Sequence, residues 1–385
     1  MTVLDDDILK MMTGWRHDLH AHPETAFTEI RTGDLVAAQL AADGYAVHRG
    51  LGQTGVVGTL STGSGPVIGL RADMDALFIE EKGDLPYASR IAGKMHACGH
   101  DGHTVMLLGA ARQLARRRNF QGTIHVIFQP AEENEGGGRR MIEDGLFDLF
   151  PCSEIFGLHN WPALPLGSFA INGSTMMAAF DTFEITVTGR GCHGAMPETG
   201  IDPIVVAAQI VLGLQTVVSR RVSPLEKAVL SVTQIHGGDT WNVIPDSVVL
   251  RGTVRCMSPE VQRDIEGLLR GLSQSIAAAH GAVADVVYEH RYPATINASA
   301  SADKAARAAE EVVGRSSVTT DCPPSMASED FGYMLQRLPG AYIFMGVGDD
   351  GHRAALHNPI YDFNDGALAT GAAFWVRLVE RVLPG

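Results

Sequence analysis

An α/β domain interrupted by a smaller α+β domain is the fold class that the chain's patterning predicts. Three observations carry it. Strand-like apolar runs alternate with helix-period segments over 1–179; between 180 and 292 the order becomes β-α-β-β-α-β with half-wet strands; from 293 to 385 helix and strand patterns resume. The 385 residues suffice for this, since domains run at roughly 150 residues each.

The first part opens with helices over 5–20 and about 28–43, the second carrying Leu35, Val36 and Leu40 on one side. Strand-like runs follow at 56–60, 67–71, 123–128 and 155–158, with a helix over 103–117 between two of them. Strands that alternate with helices indicate a sheet that is largely parallel. Over 183–188 polar and apolar residues alternate, as in a strand with one wet face. A helix over 204–220, strands over 228–234 and 247–254, a helix over 259–280 and a strand over 284–289 complete a ferredoxin-like split unit. Helices at about 300–313 and 329–335, a strand at 341–346 and a C-terminal helix close the chain. The run Gly50-Leu51-Gly52-Gln53-Thr54-Gly55 fits a dinucleotide-binding fingerprint, but a strand follows it rather than a helix, so it reads as a hairpin. Gly136-Gly137-Gly138 lacks a phosphate-binding lysine and reads as a turn.

A formal net charge of −14 disfavours nucleic-acid binding, because no basic field would attract a polyanion. Arg116 to Arg118 end a helical pattern, where cations suit the dipole. The N-terminus lacks the basic and apolar regions of a signal peptide, and the apolar run 203–218 is shorter than the ~20 residues a bilayer needs, so a soluble protein with no membrane partner is expected. Five cysteines without a Cys-x-x-Cys pair point to a reducing, cytoplasmic setting. Fifteen histidines are the compositional oddity, and they make metal chemistry the first hypothesis.

Strand 67–71 runs into Asp73 and Asp75, Cys98-Gly99-His100-Asp101 stands before the helix at 103, strand 123–128 runs into Glu132 and Glu133, and strand 155–158 into His159. Open α/β sheets bind ligands beyond the carboxyl ends of their strands, so these groups can converge. Thiolate and imidazole from Cys98 and His100 suit Zn²⁺ and other transition ions, and a deprotonated sulfur can bridge two of them. Taken singly, Cys-Gly-His has an ordinary reading as loop packing, and adjacent glutamates as a solvated pair. Beside a metal the two carboxylates can divide labour, one ligating and the other serving as general base. No Gly-x-Ser-x-Gly elbow marks a nucleophilic serine.

Nine ordered motifs carry a resemblance: RHDLHAHPE at 16–24, RADMDAL at 71–77, HACGHD at 96–101, QPAEE at 129–133, GLHN at 157–160, GCHGAMP at 191–197, NVIP at 242–245, SEDF at 328–331 and LHNP at 356–359. The chain resembles the M20 metallopeptidase superfamily, in the amidohydrolase branch that includes hippurate hydrolases, N-acyl-amino-acid deacetylases and plant auxin-conjugate hydrolases. The resemblance implies a zinc-exopeptidase-like catalytic domain with a mixed, largely parallel sheet, in two parts at 1–179 and 293–385. It also implies an inserted ferredoxin-like lid and dimerisation domain at 180–292, hence a homodimer or higher oligomer. Each subunit is expected to hold two divalent ions, Zn²⁺, Mn²⁺, Co²⁺ or Ni²⁺. By the same resemblance Cys98 is expected to bridge them, with His100, Glu133, His159 and His357 completing the two ligand sets. The resemblance gives Glu132 the expected general acid/base role and Asp75 that of orienting the site from behind the ligands. The resemblance further implies that His193 reaches the partner subunit's active site and donates to the substrate carbonyl oxygen or carboxylate, and that Asn242 contacts substrate.

The implied reaction cleaves the amide bond of small N-acyl amino acids, such as N-acetyl or N-benzoyl conjugates, to a carboxylate and a free amino acid. A di- or aminopeptidase on the same scaffold is the alternative, and a non-catalytic metal-binding protein a further one. Three residues depart from the family pattern: Cys192 stands for glycine, Glu198 for histidine and Phe78 for proline. Glu198 adds negative charge near a substrate carboxylate, which bears on specificity; nothing explains Phe78. His96 and His103 are expected to be structural or to support the ligands. His17, His20 and His22 fit either the cleft mouth or a solvated helix end.

Overall fold

The computed structural model of the chain describes residues 4–385 except position 134. Two compact units emerge. One comprises the chain up to Met176 with Ile296–Pro324 and Asp330–Gly385; the other comprises Met177–Thr295 with Ser325–Glu329. The short return of chain at Ser325–Glu329 carries no periodicity and was invisible to pattern reading. It is tied in by a bridge between Ser325 and Met177.

In the first unit, the described residues form an eight-stranded sheet in the order Ala46–Leu51, Gly55–Ser61, Thr123–Gln129, Val67–Asp73, Glu154–Pro165, Gly340–Gly348, Phe169–Ala170, Val318–Thr319. Thr123–Gln129, Val67–Asp73, Glu154–Pro165 and Gly340–Gly348 run parallel. The sheet is therefore mixed and largely parallel, as the alternation of elements requires. Val67–Asp73 and Gly340–Gly348 are buried over almost their whole length, which explains why they read as continuous apolar runs rather than alternating ones. Helices Asp6–Ala21, His100–Arg117 and Leu368–Val382 place Ile8, Met12, Leu107, Leu114, Phe374 and Trp375 in one core with Ile68, Leu70, Phe156 and Ile343 of the sheet.

Local differences from the sequence reading have local causes. The strand Ala46–Leu51 was not anticipated; it pairs antiparallel with Gly55–Ser61, so the glycine run does form a hairpin. The helix read from 103 begins at His100, because Gly99 turns the chain with a left-handed backbone at φ +85°. Gly136 has a left-handed backbone, φ +69°, while Gly137 and Gly138 open a helix, Gly137–Glu143, where a turn was expected. A Cβ on Gly137 would overlap the Pro130 carbonyl oxygen, so close packing explains that glycine. The helix expected over 329–335 shortens to Gly332–Leu335.

The second unit has an antiparallel sheet in the order Ala228–His236, Ser247–Cys256, Ala179–Thr188, Val283–Tyr292. Helices Pro203–Thr216 and Pro259–Ala279 bury Val206, Ile210, Leu214, Ile265 and Leu269 against Phe183, Ile185, Val187 and Leu250. Each starts with proline behind a capping side chain, Asp202 accepting from the Ile204 N–H and Ser258 from the Val261 N–H. The helical run Pro203–Arg221 is 19 residues and, by length and composition alone, is apolar enough to cross a bilayer, unlike the shorter stretch read from sequence. Its Val206, Ala207, Ile210, Leu214 and Val217 are buried within the unit.

Candidate metal centre

The parallel strands deliver the candidate residues to one end of the sheet. Val67–Asp73 leads directly to Asp75, Thr123–Gln129 to the loop bearing Glu132 and Glu133, and Glu154–Pro165 carries His159. His100 begins the helix that follows Gly99, and His357 comes from the loop after Gly340–Gly348. A Cβ on Gly99 would lie 2.5 Å from Asn160 Nδ2 and 2.7 Å from the Tyr361 hydroxyl, so only glycine permits Cys98 and His100 to flank this turn. His357 itself has a left-handed backbone, φ +64°, and its N–H donates to the Ala97 carbonyl at 2.8 Å. That bond ties the last candidate ligand to the segment bearing the first.

Cys98 stands at the junction of two donor groups. Donor atoms of Cys98, His100 and His159 lie within 4.8 Å of one another; so do those of Cys98, Glu133 and His357, and those of His100, Glu132 and Glu133. Cys98 Sγ is 3.5 Å from His159 Nε2, and His357 Nε2 is 3.1 Å from Glu133 Oε1. Supporting bonds choose which ring nitrogens face inward. His159 Nδ1 is 2.6 Å from the Asn160 carbonyl oxygen, leaving Nε2 toward Cys98. His100 Nδ1 is 3.3 Å from Asp75. Asp75 also accepts from the N–H of Glu132 at 3.0 Å and of Glu133 at 2.9 Å, one bond to each carboxylate oxygen.

The donor set fits divalent cations. Nε2 of His100, the ring nitrogen turned away from Asp75, is buried without a hydrogen bond, a costly arrangement unless something else satisfies it. Burial, followed by the charges of Glu133, Glu132 and Asp73, pushes the Cys98 thiol well above its ordinary value. Burial pulls His100 down, but Asp73 and Asp75 outweigh it and raise the imidazole to about 10. Without a cation, then, the cluster holds protons where a metal would displace them. His159 is already suited to ligation: burial and its neighbour His103 hold it well below the usual imidazole range, hence neutral.

In the second unit His193 and Asn242 are brought together. Cys192–His193 pairs with Val243–Ile244, and the Gly194 N–H donates to the Asn242 carbonyl oxygen at 2.8 Å. The Ala195 N–H donates to His193 Nδ1 at 3.1 Å, so Nε2 carries the proton and is the donor this exposed ring offers. Beside it is a cavity of about 1030 Å³ lined by Cys192, His193, His236, Asp239, Val243 and Asp246. Cys192 is half-buried and Glu198 exposed on a short 3₁₀ turn. Phe78, in the first unit, is 77% exposed.

The model for peptidase family M20/M25/M40 matches residues 69–381. The chain belongs to this family. Among similar sequences, a hippurate hydrolase of Campylobacter jejuni is 41% identical over 369 residues, covering 96% of this chain and 95% of that protein. An N-acetyl-L-cysteine deacetylase of Bacillus subtilis is 39% identical over 380 residues, covering 97% and 88%. A crystal structure from Bacillus subtilis, described as a dinuclear metal-binding peptidase from the M20 family, superposes with a TM-score of 0.86 at 34% identity, covering 98% of this chain and 99% of that one.

In this M20 chain the remaining histidines sort by partner. His103 bridges Asp73 Oδ1, 2.6 Å from Nδ1, and the Asn160 N–H, 2.9 Å from Nε2, so it braces the site. His20 is fully buried rather than solvated, with Nδ1 2.8 Å from Asp101; His17 and His22 are partly exposed. His96 is buried and burial lowers it to about 4, which keeps it neutral. Sequence reasoning missed two supports. Arg71 links Asp73 to Asp330, and Asp330 accepts from Gln129 and from the Gly138 N–H, a lattice beneath the strand ends. Glu29 reaches the Glu132 loop from a distant segment. The SEDF motif flagged Asp330's neighbourhood; no signal marked Glu29.

Proposed function

We propose that the chain is a dinuclear-metal-dependent amidohydrolase that releases the free amino acid from N-acyl amino acids. As a member of peptidase family M20/M25/M40 it is a hydrolase of amide bonds. The observation that carries the finer reading is the position of Cys98 in two donor groups, with Glu132 beside them. The named relatives support the substrate class, since hippurate is N-benzoylglycine and N-acetylcysteine likewise bears an acyl group on its amino nitrogen. Two divalent ions, when bound, polarise a carbonyl and acidify water, which makes hydroxide available near neutral pH. Glu132 takes the proton of the attacking water as its oxygen adds to the carbonyl carbon. The C–N bond then breaks and Glu132 returns that proton to the leaving amine nitrogen. Asp75 holds the loop and His100 in place for this. His193, with its proton on Nε2, is read as the donor to the substrate carbonyl oxygen or carboxylate, supplied to a partner subunit's active site, and Asn242 as its neighbour on the substrate.

A dimer through the second unit is supported by its surface. The edge strand Ala228–His236 leaves Val229 and Ile235 exposed, and the helix Pro203–Thr216 leaves Val205 and Leu212 exposed, an apolar set that a second copy would cover. Five free thiols support a reducing compartment. The deciding experiment is a substrate panel on metal-reconstituted enzyme: N-acetyl and N-benzoyl amino acids beside dipeptides with free amines. N-acyl amino acids are expected to turn over faster; preference for free-amine dipeptides would replace this reading with a peptidase.

A further inference from the structure

Three consecutive peptide N–H groups, those of Ala131, Glu132 and Glu133, are each held by a buried carboxylate. Asp75 takes the second and third. The first goes to Glu29, whose Oε1 accepts from the Ala131 N–H at 2.9 Å and the Phe27 N–H at 3.1 Å, while its Oε2 accepts from the Thr54 hydroxyl at 2.6 Å. Glu29 lies just before the helix Ile30–Ala42 and is completely buried, as Asp75 nearly is. Two carboxylates so close are an expensive way to fill a core, so their placement calls for a purpose. The loop supplies one. Ala131 has a left-handed backbone, φ +54°, which an alanine rarely adopts without an external anchor. The next two residues are the proposed general base and a proposed metal ligand.

We propose that Glu29 is a positioning residue for the hydrolytic site: with Asp75 it clamps the 131–133 backbone and thereby fixes Glu132 and Glu133 against the metal centre. The role rests on the amidohydrolase reading for its kinetic consequence, but not for its consequence on metal binding. Geometry also identifies a conservative replacement. A glutamine at this position offers one amide oxygen for the two N–H donors and an amide N–H₂ for the Thr54 oxygen, which preserves all three links. Alanine preserves none, and aspartate is one methylene short of Ala131.

The test compares wild type with Glu29→Ala, Glu29→Gln and Glu29→Asp, measuring Co²⁺ affinity and spectrum, the melting temperature, and kcat and KM on an N-acyl amino acid. Glu29→Ala and Glu29→Asp are expected to weaken metal binding by roughly 10- to 100-fold and to alter the Co²⁺ spectrum. They are also expected to lower kcat by on the order of 10²-fold with KM little changed, because small displacements of reacting groups are costly. Glu29→Gln should restore most of each. If Glu29→Ala does not fold, Glu29→Asp takes its place. Wild-type kcat and metal affinity in folded Glu29→Ala or Glu29→Asp, or a Glu29→Gln enzyme as impaired as either, overturns the proposal. If no N-acyl amino acid is cleaved by wild type, the substrate reading fails while the Co²⁺ measurements still decide the role of Glu29.

Discussion

Glu132 and Glu133 are neighbours in the chain with different surroundings, which supports a division of labour between them. Glu133 Oε1 sits 3.1 Å from His357 Nε2 and in a donor group with Cys98, where a ligand belongs. Glu132 is buried beside them with its N–H held by Asp75, the place of a base that must reach water and the leaving nitrogen. Replacing Glu132 by glutamine should therefore keep both metals by elemental analysis and cut kcat by roughly 10²- to 10⁴-fold; an active Glu132→Gln enzyme would sink the assignment. At this scale the sequence was most legible where chemistry is concentrated in a few adjacent residues, as at Cys98-Gly99-His100. It was silent on Glu29, because Glu29 and Ala131 are 102 positions apart and a lone glutamate before a helix has a routine solvated reading.

Between elements, two joints set the site. Gly99 leads into the helix His100–Arg117, and its left-handed backbone is crowded by Asn160 and Tyr361. Gly99→Ala should destabilise the protein by ~2 kcal/mol or more and weaken metal binding together, measured by denaturant unfolding and Co²⁺ titration. The second joint is the buried pair His20–Asp101, which fastens helix Asp6–Ala21 to helix His100–Arg117. Burial opposes the charge on His20, but hydrogen bonds to Asp101 and Glu81 prevail and raise it to about 9, while Asp101 is lowered. A raised imidazole contributes stability in full below its unfolded value near 6.5, and that contribution disappears as pH climbs through about 9. The melting temperature should therefore fall as pH rises from about 6.5 to about 9, and this fall should be absent in His20→Gln. Helix periodicity showed that both helices exist. It could not show this joint, since a histidine at a helix end reads as solvated until its partner, 81 positions on, is known.

For the whole molecule, the order of strands and helices was legible because burial writes its period into the sequence, continuous in the parallel strands and alternating in Ala179–Thr188. The edge hairpin strand Ala46–Leu51 was not, because it is mostly exposed and short of apolar residues. Chelating the metals should lower the melting temperature by on the order of 5–10 °C, the shift expected when ligand at about 100 times its Kd is removed; reversal on adding Zn²⁺ or Mn²⁺ would confirm it, and no shift would count against a tightly held metal centre. The late strand Gly340–Gly348, seated beside Glu154–Pro165, has a consequence for synthesis. A ribosome releases Cys98, His100 and His159 long before His357, so the nascent chain carries one of the candidate donor groups while the other is unfinished. Throughout that interval Glu154–Pro165 presents an open apolar edge, the kind that recruits other chains. Translation halted before Gly340 should accordingly yield insoluble fragments rather than a half-active enzyme.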